Sequence, residues 1–343
     1  MAQAAPVGQE IKMDYLGYRP LDKKIAYFSA DPGNSVEVRT TTDQVVATLS
    51  GTQIQFLGID NQQRSGDTVW TVDFSSVVAP GNYRLYSHSR NVQSYDFRIA
   101  DDVYNEFVKT ALKTFYLQRC GTPKHAQHVG NAWADAQACH LSDQTTSPAA
   151  GHSDHGSKDL TGGWHDAGDY NKYVWKAVSG AILTMLTAYE DNPGVFGDDL
   201  NIPESGNGRP DLLDEIKWEL DWLLKMQLPD GSVLYQTHVN GFASNAPPSA
   251  DTNLRYYQNP TLESGSVFAG TLALSSRIFK DAGETVYAAT LLNAAKTTWT
   301  WLLGQGNSKE KAWAAAELFR ADPTLTSARD YVNNYYANNW QSV

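Results

Sequence analysis

The segment from Thr161 to Tyr170 reads TGGWHDAGDY and carries the residues best suited to chemistry. Asp166 and Asp169 lie three positions apart, beside glycines that allow backbone shapes closed to other residues. Two carboxylates on one tight turn could act on one water molecule, one taking its proton while the other orients it. Taken alone, however, such a D-x-x-D turn is more often a helix cap or a calcium ligand.

Two cysteines precede this turn in the sequence. Cys120 and the pair Cys139-His140 flank a loop rich in His, and His165 directly precedes Asp166; two thiolates with two imidazoles form the ligand set of a closed structural zinc site. A Cys120–Cys139 disulfide is the alternative, worth about 3 kcal/mol by loop entropy. The residues alone slightly favour the disulfide if the protein is secreted.

A second group of oxygen-bearing residues follows at 204–214. Glu204, Asn207, Asp211 and Asp214, with the Arg209 carbonyl, could supply the six to eight oxygens that calcium takes. The spacing is not that of an EF-hand loop. The alternative is that Asp211 caps a helix and that Asp214 interacts with the positive N-terminus of that helix.

The elements that must position these residues fall into two groups. Residues 8–99 read as short, partly alternating strands separated by turn signals, which predicts a β-sandwich. The predicted strands are 24–29, 36–40, 45–49, 68–74, 83–87 and 95–99.

From Asp101 onward the apolar periodicity becomes helical. About seven helices are predicted, over 103–116, 174–189, 209–227, 264–281, 284–303, 308–321 and 325–338. The stretches 120–170 and 228–262 look irregular, and long loops of this kind in a compact domain are usually functional.

Length and composition exclude several classes of protein. The 343 residues suggest two domains, and 41% hydrophobic residues are enough for a core. A net charge of −11 without a basic patch argues against nucleic-acid binding, and no apolar run reaches the roughly 20 residues of a membrane span. The small residues at 1–6 resemble what remains after signal-peptide cleavage, so we expect a secreted protein.

The 161–170 segment resembles the signature of family 9 glycoside hydrolases, which include cellulases and endoglucanases. Further motifs that resemble the family occur in the same order along the chain. In the first part they lie at 15–18, 74–77, 80–83 and 95–98, and in the second at 115–121, 208–215 and 312–318. The resemblance implies an immunoglobulin-like domain over 8–99, followed by an (α/α)6-barrel catalytic domain over 100–343.

The resemblance also implies roles for the site residues. Asp169 would be the general base of an inverting hydrolysis of β-1,4-glucans, with Asp166 assisting on the attacking water. Structural zinc at Cys120, Cys139, His140 and His165 and structural calcium at 204–214 are likewise implied, which turns the balance from disulfide to zinc.

The family's general acid is a Glu near the end of the barrel, after a His-rich stretch, and we find neither segment in this sequence. The barrel is therefore expected to be truncated and the acid absent from this chain. Glu263 and Glu317 fall in helical segments, where solvated or capping roles fit better.

We expect a monomer that binds a β-glucan polysaccharide or oligosaccharide. The alternative is a non-catalytic carbohydrate-binding fragment or degenerate remnant of such an enzyme. A third hypothesis, an assembly unit completed by a second chain, ranks last.

Overall fold

The structure is a computed structural model that describes residues 5–59, 66–242 and 245–339. The chain forms two compact units that divide between Thr110 and Ala111. The domain boundary predicted from sequence, between residues 99 and 100, stays a prediction. In the described ranges, none of the helices combines the length and apolar character that crossing a membrane requires.

The first unit is built from short strands in two sheets. Its strands are β1 (Ile11–Lys12), β2 (Ile25–Phe28), β3 (Ser35–Thr40), β4 (Val45–Ser50), β5 (Ile54–Ile59), β6 (Thr68–Asp73), β7 (Gly81–Ser87), β8 (Val92–Gln93) and β9 (Phe97–Ile99). One sheet has the order β1-β2-β6-β5, and the other has the order β4-β3-β7-β8 with β9 also paired to β7.

Alternating burial explains how these strands form a sandwich. On β3, Val36 and Val38 are buried while their neighbours are half-buried, so one face of the strand points inward. The same apolar core contains Phe28 and Val72 from the other sheet. The predicted β-sandwich is therefore confirmed, and the sequence analysis missed β1, β5 and β8.

The second unit is mainly helical. Its helices are α1 (Asn105–Gln118), which begins before the division, α2 (Ala126–Val129), α3 (Val174–Lys176), α4 (Leu183–Asp191), α5 (Asp211–Met226), α6 (Leu262–Asp281), α7 (Thr285–Leu302), α8 (Lys309–Ala321) and α9 (Thr326–Asn339). A π-helical stretch, Ala177–Ile182, joins α3 to α4. All seven helices predicted from periodicity are thus present, with α3 and α4 together forming the second of them.

The prediction that 120–170 and 228–262 are irregular was wrong in part. These stretches supply β10 (Ser147–Pro148), β12 (Gln236–Val239) and β13 (Arg255–Tyr257), which pair with β11 (Lys172–Tyr173) in the order β10-β13-β12-β11. Strands of two to four residues are too short to show a period in the sequence. This small sheet holds the chain directly after the two aspartates.

Close packing in α6 gives a test of the helical core. A Cβ added at Gly270 would lie 2.3 Å from a ring carbon of Trp313. We expect Gly270→Ala to lower the free energy of unfolding by about 1–3 kcal/mol, although alanine favours a helix by about 1 kcal/mol. Urea denaturation measures the change.

Gly304→Ala is the matched control, because a Cβ there has its nearest neighbour at 3.6 Å. Its effect should stay within about 0.5 kcal/mol. Equal stability of the two variants would contradict the packing of α6.

Candidate active site

The two aspartates lie on what we name the aspartate turn, residues 160–171. Within it the amide of Asp166 donates to the carbonyl of Asn171 at 2.8 Å, and the amide of Tyr170 donates to Ala167 at 2.9 Å. Tyr170 adopts a left-handed backbone with a φ of 57°. The structure therefore carries Asp166 and Asp169 on one closed turn.

Asp169 is oriented by a neighbouring amide side chain. The Nδ2 of Asn171 donates to Oδ2 of Asp169 at 2.7 Å, and the backbone N–H of Asn171 reaches Oδ1 at 3.3 Å. Asn171 is itself fixed, because its Oδ1 accepts from the amide of Val239 on β12 at 2.9 Å. The small sheet thus sets the direction of the Asp169 carboxylate.

Asp166 is more exposed and has a different partner. Its Oδ2 forms an ion pair with Nζ of Lys176 at 2.9 Å, and this hydrogen bond raises the pKa of Lys176. Asp166 and Lys176 line a cleft of about 330 Å³ with Phe115, Trp164 and Tyr173. The sequence analysis did not single out Lys176, because one lysine after an aromatic residue carries no recognisable spacing.

Below the turn, four buried side chains bring their ligand atoms within 4.8 Å of one another. They are Cys120, Cys139, His140 and His165. Both cysteines are free, so the disulfide alternative is not formed in the structure.

The geometry of this set fits a tetrahedral metal ion. The distance from Cys120 Sγ to His140 Nδ1 is 3.9 Å, and that from Cys139 Sγ to His165 Nε2 is also 3.9 Å. Zn–S and Zn–N bonds of about 2.3 and 2.0 Å at the tetrahedral angle would separate such atoms by about 3.5 Å. The Nε2 of His140 lies 3.1 Å from Oδ2 of Asp251, a contact of the kind that orients metal-bound imidazoles.

The surroundings of the four residues also favour metal binding. Although burial opposes ionisation, a hydrogen bond from Cys139 and the charges of Lys172 and Arg255 hold the pKa of the Cys120 thiol well below its usual value, while the same hydrogen bond raises the pKa of Cys139. Burial lowers the pKa of His165, so this ring is the neutral imidazole that a metal requires.

The charges of the connected network point to a divalent cation. When ionised, its four acidic side chains outnumber its two cationic ones by two, and uncompensated buried charge costs several kcal/mol. The acidic groups are Cys120, Cys139, Asp143 and Asp251, and the cations are Lys172 and Arg255. A doubly charged ion at the four ligands would offset the charge of the two thiolates that it requires, beside the buried cation Lys124.

A buried ion cluster centred on Asp143 holds the first part of the aspartate turn. The Nζ of Lys172 donates to Asp143 Oδ2 at 3.0 Å and to the carbonyls of Leu160 and Gly162 at 2.5 and 2.9 Å. Arg255 binds the same carboxylate from the other side through its Nε at 3.0 Å. Lys172 and Asp143 are both almost fully buried.

A second buried layer comes from α5. Glu215 accepts from Arg119 Nε at 3.0 Å and from the indole N–H of Trp164 at 2.8 Å. One turn later, Oε2 of Glu219 accepts from the backbone N–H of Trp164 at 2.5 Å. A Cβ at Gly163 would lie 2.7 Å from the Trp222 ring, so only glycine fits here. The turn therefore rests directly on α5.

The side chains predicted to bind calcium pair with protein groups in the structure. In the chain as described, the Cys/His set is the one group of three or more His, Cys, Asp or Glu residues close enough to share a metal ion. Asp214 accepts instead from Arg209 at 2.5 Å and from Asn207 at 3.0 Å. Glu204 pairs with Arg119 at 2.9 Å.

Asp211 begins α5 but accepts from residues before the helix, namely Leu200 N–H at 2.6 Å and Ser205 Oγ at 2.8 Å. Burial raises the pKa values of Asp211 and Asp214. Oδ1 of Asp211 and Oε2 of Glu204 are buried without a hydrogen-bond partner. Two buried oxygens without a partner are compatible with a cation between them, so the calcium site stays a prediction.

Sequence reasoning missed the charged residues that support the site. They are Arg119, Asp143, Lys172, Glu215, Glu219, Asp251 and Arg255. Each is a single charge far from its partner in sequence, so no local spacing marks it. The strand that carries Arg255, β13, is itself too short to show a period in the sequence, so it marked no site.

Comparisons with known proteins agree with the two-unit architecture. The profile of Glycosyl hydrolase family 9 matches residues 104–343, and that of the Cellulase N-terminal ig-like domain matches residues 7–91. Endoglucanase D of Acetivibrio thermocellus is 32% identical over 94% of this chain and 53% of its own length. The chain thus spans about half the length of this curated relative.

Solved structures show the same similarity. A Bacteroides ovatus GH9 structure has a TM-score of 0.82 at 28% identity, covering 95% of this chain and 64% of that one. A Zn-binding triple mutant of a GH family 9 endoglucanase has a TM-score of 0.80 at 29% identity, covering 93% of this chain and 63% of that one. The fold extends over nearly all of this chain but over less than two thirds of theirs.

Glu219 predicts a pH dependence of stability, because burial raises its pKa to about 8. Between about pH 4.5 and 8 the unfolded chain has lost a proton that the folded chain keeps. The free energy of unfolding therefore falls as pH rises, by at most about 1.4 kcal/mol per pH unit. Glu219→Gln has no titrating group at this position. The free energy of unfolding of wild type, relative to that of Glu219→Gln, should therefore fall by up to about 3 kcal/mol between pH 5.5 and 7.5, as measured by urea denaturation.

Glu106→Gln, at an exposed position of α1, is the control and should follow wild type. Parallel pH curves for wild type and Glu219→Gln would show that Glu219 is already ionised beneath the turn.

Proposed function

This chain belongs to glycosyl hydrolase family 9. We propose that it carries the general base of an inverting β-1,4-glucanase site. The substrate is cellulose or a related β-glucan, in polymer or oligosaccharide form. The relative named an endoglucanase, similar along 94% of this chain, supports this substrate class.

Asp169 acts as general base on the attacking water, and Asp166 assists by orienting it. The observation that carries this assignment is the closed aspartate turn, in which Asn171 fixes the Asp169 carboxylate from two sides. A base held in one direction needs little reorganisation when it takes a proton. The Lys176 ion pair restrains Asp166 separately.

An inverting glycosidase also needs a proton donor about 6.5–9.5 Å from the base. We assign no general acid among residues 1–343. Without an acid the leaving oxygen departs unprotonated, and general acid–base assistance is typically worth about 10²–10⁴-fold in rate. The chain alone should therefore act slowly on unactivated glucan.

We further propose a structural zinc ion at Cys120, Cys139, His140 and His165, since their geometry and charge fit one. His165 directly precedes Asp166, so a metal there would fix the start of the segment that carries both aspartates. The ion supplies no step of the reaction. Structural calcium near Glu204, Asn207, Arg209, Asp211 and Asp214, secretion, and a monomeric state complete the proposal.

An activated substrate tests the base half without the acid. We expect 2,4-dinitrophenyl β-cellobioside to be hydrolysed by this chain, because its leaving group needs no proton, with the α-anomer of cellobiose as first product. Asp169→Asn should lower kcat by at least about 100-fold. Dinitrophenolate absorbance gives the rate, and NMR gives the anomer.

Asp191→Asn, an exposed aspartate at the end of α4, is the matched control and should keep the wild-type rate. Wild-type turnover equal to that of Asp169→Asn would refute the base assignment. If cellotetraose still binds in calorimetry, that result would favour the non-catalytic carbohydrate-binding alternative.

Metal analysis and thiol titration test the zinc proposal. We expect one zinc per chain, and two thiols that react with Ellman's reagent only after denaturation with a chelator. Cys139→Ser should lose the zinc and lower Tm by roughly 5 °C or more. His125→Ala, an exposed loop histidine, should do neither. Denatured wild type with no zinc and no reactive thiol would show a disulfide instead.

A further inference from the structure

Arg255 is a buried cation to which the proposed reaction assigns no role. It lies on β13 and is 3% exposed. A guanidinium presents five N–H donors in a rigid planar fork, so its partners are fixed relative to one another.

The fork of Arg255 reaches three parts of the site. Its Nε donates to Oδ1 of Asp143 at 3.0 Å, and its Nη2 also contacts Oδ2 of that carboxylate. Nη2 lies 2.9 Å from Sγ of Cys120. Nη1 donates to the backbone carbonyl of Tyr170 at 2.5 Å. One side chain thus touches the ion cluster, the Cys/His set and the aspartate turn.

The Tyr170 carbonyl is the acceptor that matters for the base. This carbonyl belongs to the peptide bond between Tyr170 and Asn171. The side chain of Asn171 donates a hydrogen bond to the Asp169 carboxylate. A left-handed backbone at a residue other than glycine costs about 1–3 kcal/mol and persists only where its surroundings impose it. The bond from Arg255 is one such restraint.

We propose that Arg255 is a positioning residue for Asp169, holding the aspartate turn through the Tyr170 carbonyl while Asp143 and Cys120 fix the guanidinium plane. This inference rests on the proposed function of Asp169. Lys172 does not duplicate the role, since its carbonyl partners, Leu160 and Gly162, lie at the start of the turn. Asp143 therefore anchors the start of the turn through Lys172 and its end through Arg255.

The geometry predicts how two substitutions differ. Arg255→Met removes every donor, so the Tyr170 peptide loses its restraint. Arg255→Lys keeps the charge, but one ammonium cannot reproduce the planar fork that meets both Asp143 and Tyr170. We therefore expect the lysine variant to lie between wild type and the methionine variant.

The test uses the full chain and 2,4-dinitrophenyl β-cellobioside. Arg255→Met should lower kcat by about 10- to 100-fold, while KM changes by less than about threefold, because the partners of Arg255 lie around Tyr170 and are not among the residues that line the cleft. It should still retain zinc, unlike Cys139→Ser, because all four ligands of the Cys/His set remain. Arg255→Lys should recover part of the lost kcat.

Lys311→Met is the matched control, since Lys311 is another buried cation bonded to backbone carbonyls, those of Gln305 and Gly306. It should lower Tm but leave kcat within about twofold of wild type.

Wild-type kcat in Arg255→Met would overturn the inference. So would a loss of zinc as large as that in Cys139→Ser, which would make Arg255 a support of the metal set. If Arg255→Met does not fold, the folded Arg255→Lys variant decides, and wild-type kcat there counts against the proposal. Absence of Asp169-dependent turnover in wild type would reject the function first, and this inference with it.

Discussion

The buried carboxylate of Asp143 is the constraint on which the site depends. It is almost fully buried and forms ion pairs with two buried cations, Lys172 and Arg255. Removing one member of such a cluster leaves charge in a low dielectric, at a cost of about 3–5 kcal/mol. Both cations also donate to carbonyls of the aspartate turn. A change in the charge of the cluster therefore also changes the shape of the turn.

The other supports converge on the same turn from different elements. Helix α5 meets Trp164 through Glu215 and Glu219, the small sheet fixes Asn171 through Val239, and the Cys/His set includes His165. A general base works when its direction is fixed before the substrate arrives. The protein achieves this with a loop, an element usually mobile, by surrounding it with buried polar contacts.

The sequence predicted the features whose signal lies within a short stretch of neighbouring residues. Periodicity over a dozen residues predicted α5 to α9 within a few positions, and the turn motif predicted Asp166 and Asp169 as neighbours. The four-residue Cys/His set was also anticipated, although through a family resemblance. Asp143 and Arg255 could not be predicted, because 112 residues separate two groups that meet only in the folded chain. Strands β10 to β13 were missed because a pattern of two to four residues has no measurable period.

Hydrogen exchange of the aspartate turn in Asp143→Asn measures whether the Asp143 carboxylate holds that turn in place. If the carboxylate holds the turn, amides of residues 160–171 should exchange at least about tenfold faster than in wild type, corresponding to about 1.4 kcal/mol of lost protection. Amides of α6 and α7 that exchange by local opening should exchange as before, while those that require global unfolding report only the loss of total stability. Unchanged exchange in 160–171, or equal acceleration of the locally exchanging amides of α6 and α7, would show that Asp143 does not hold the turn.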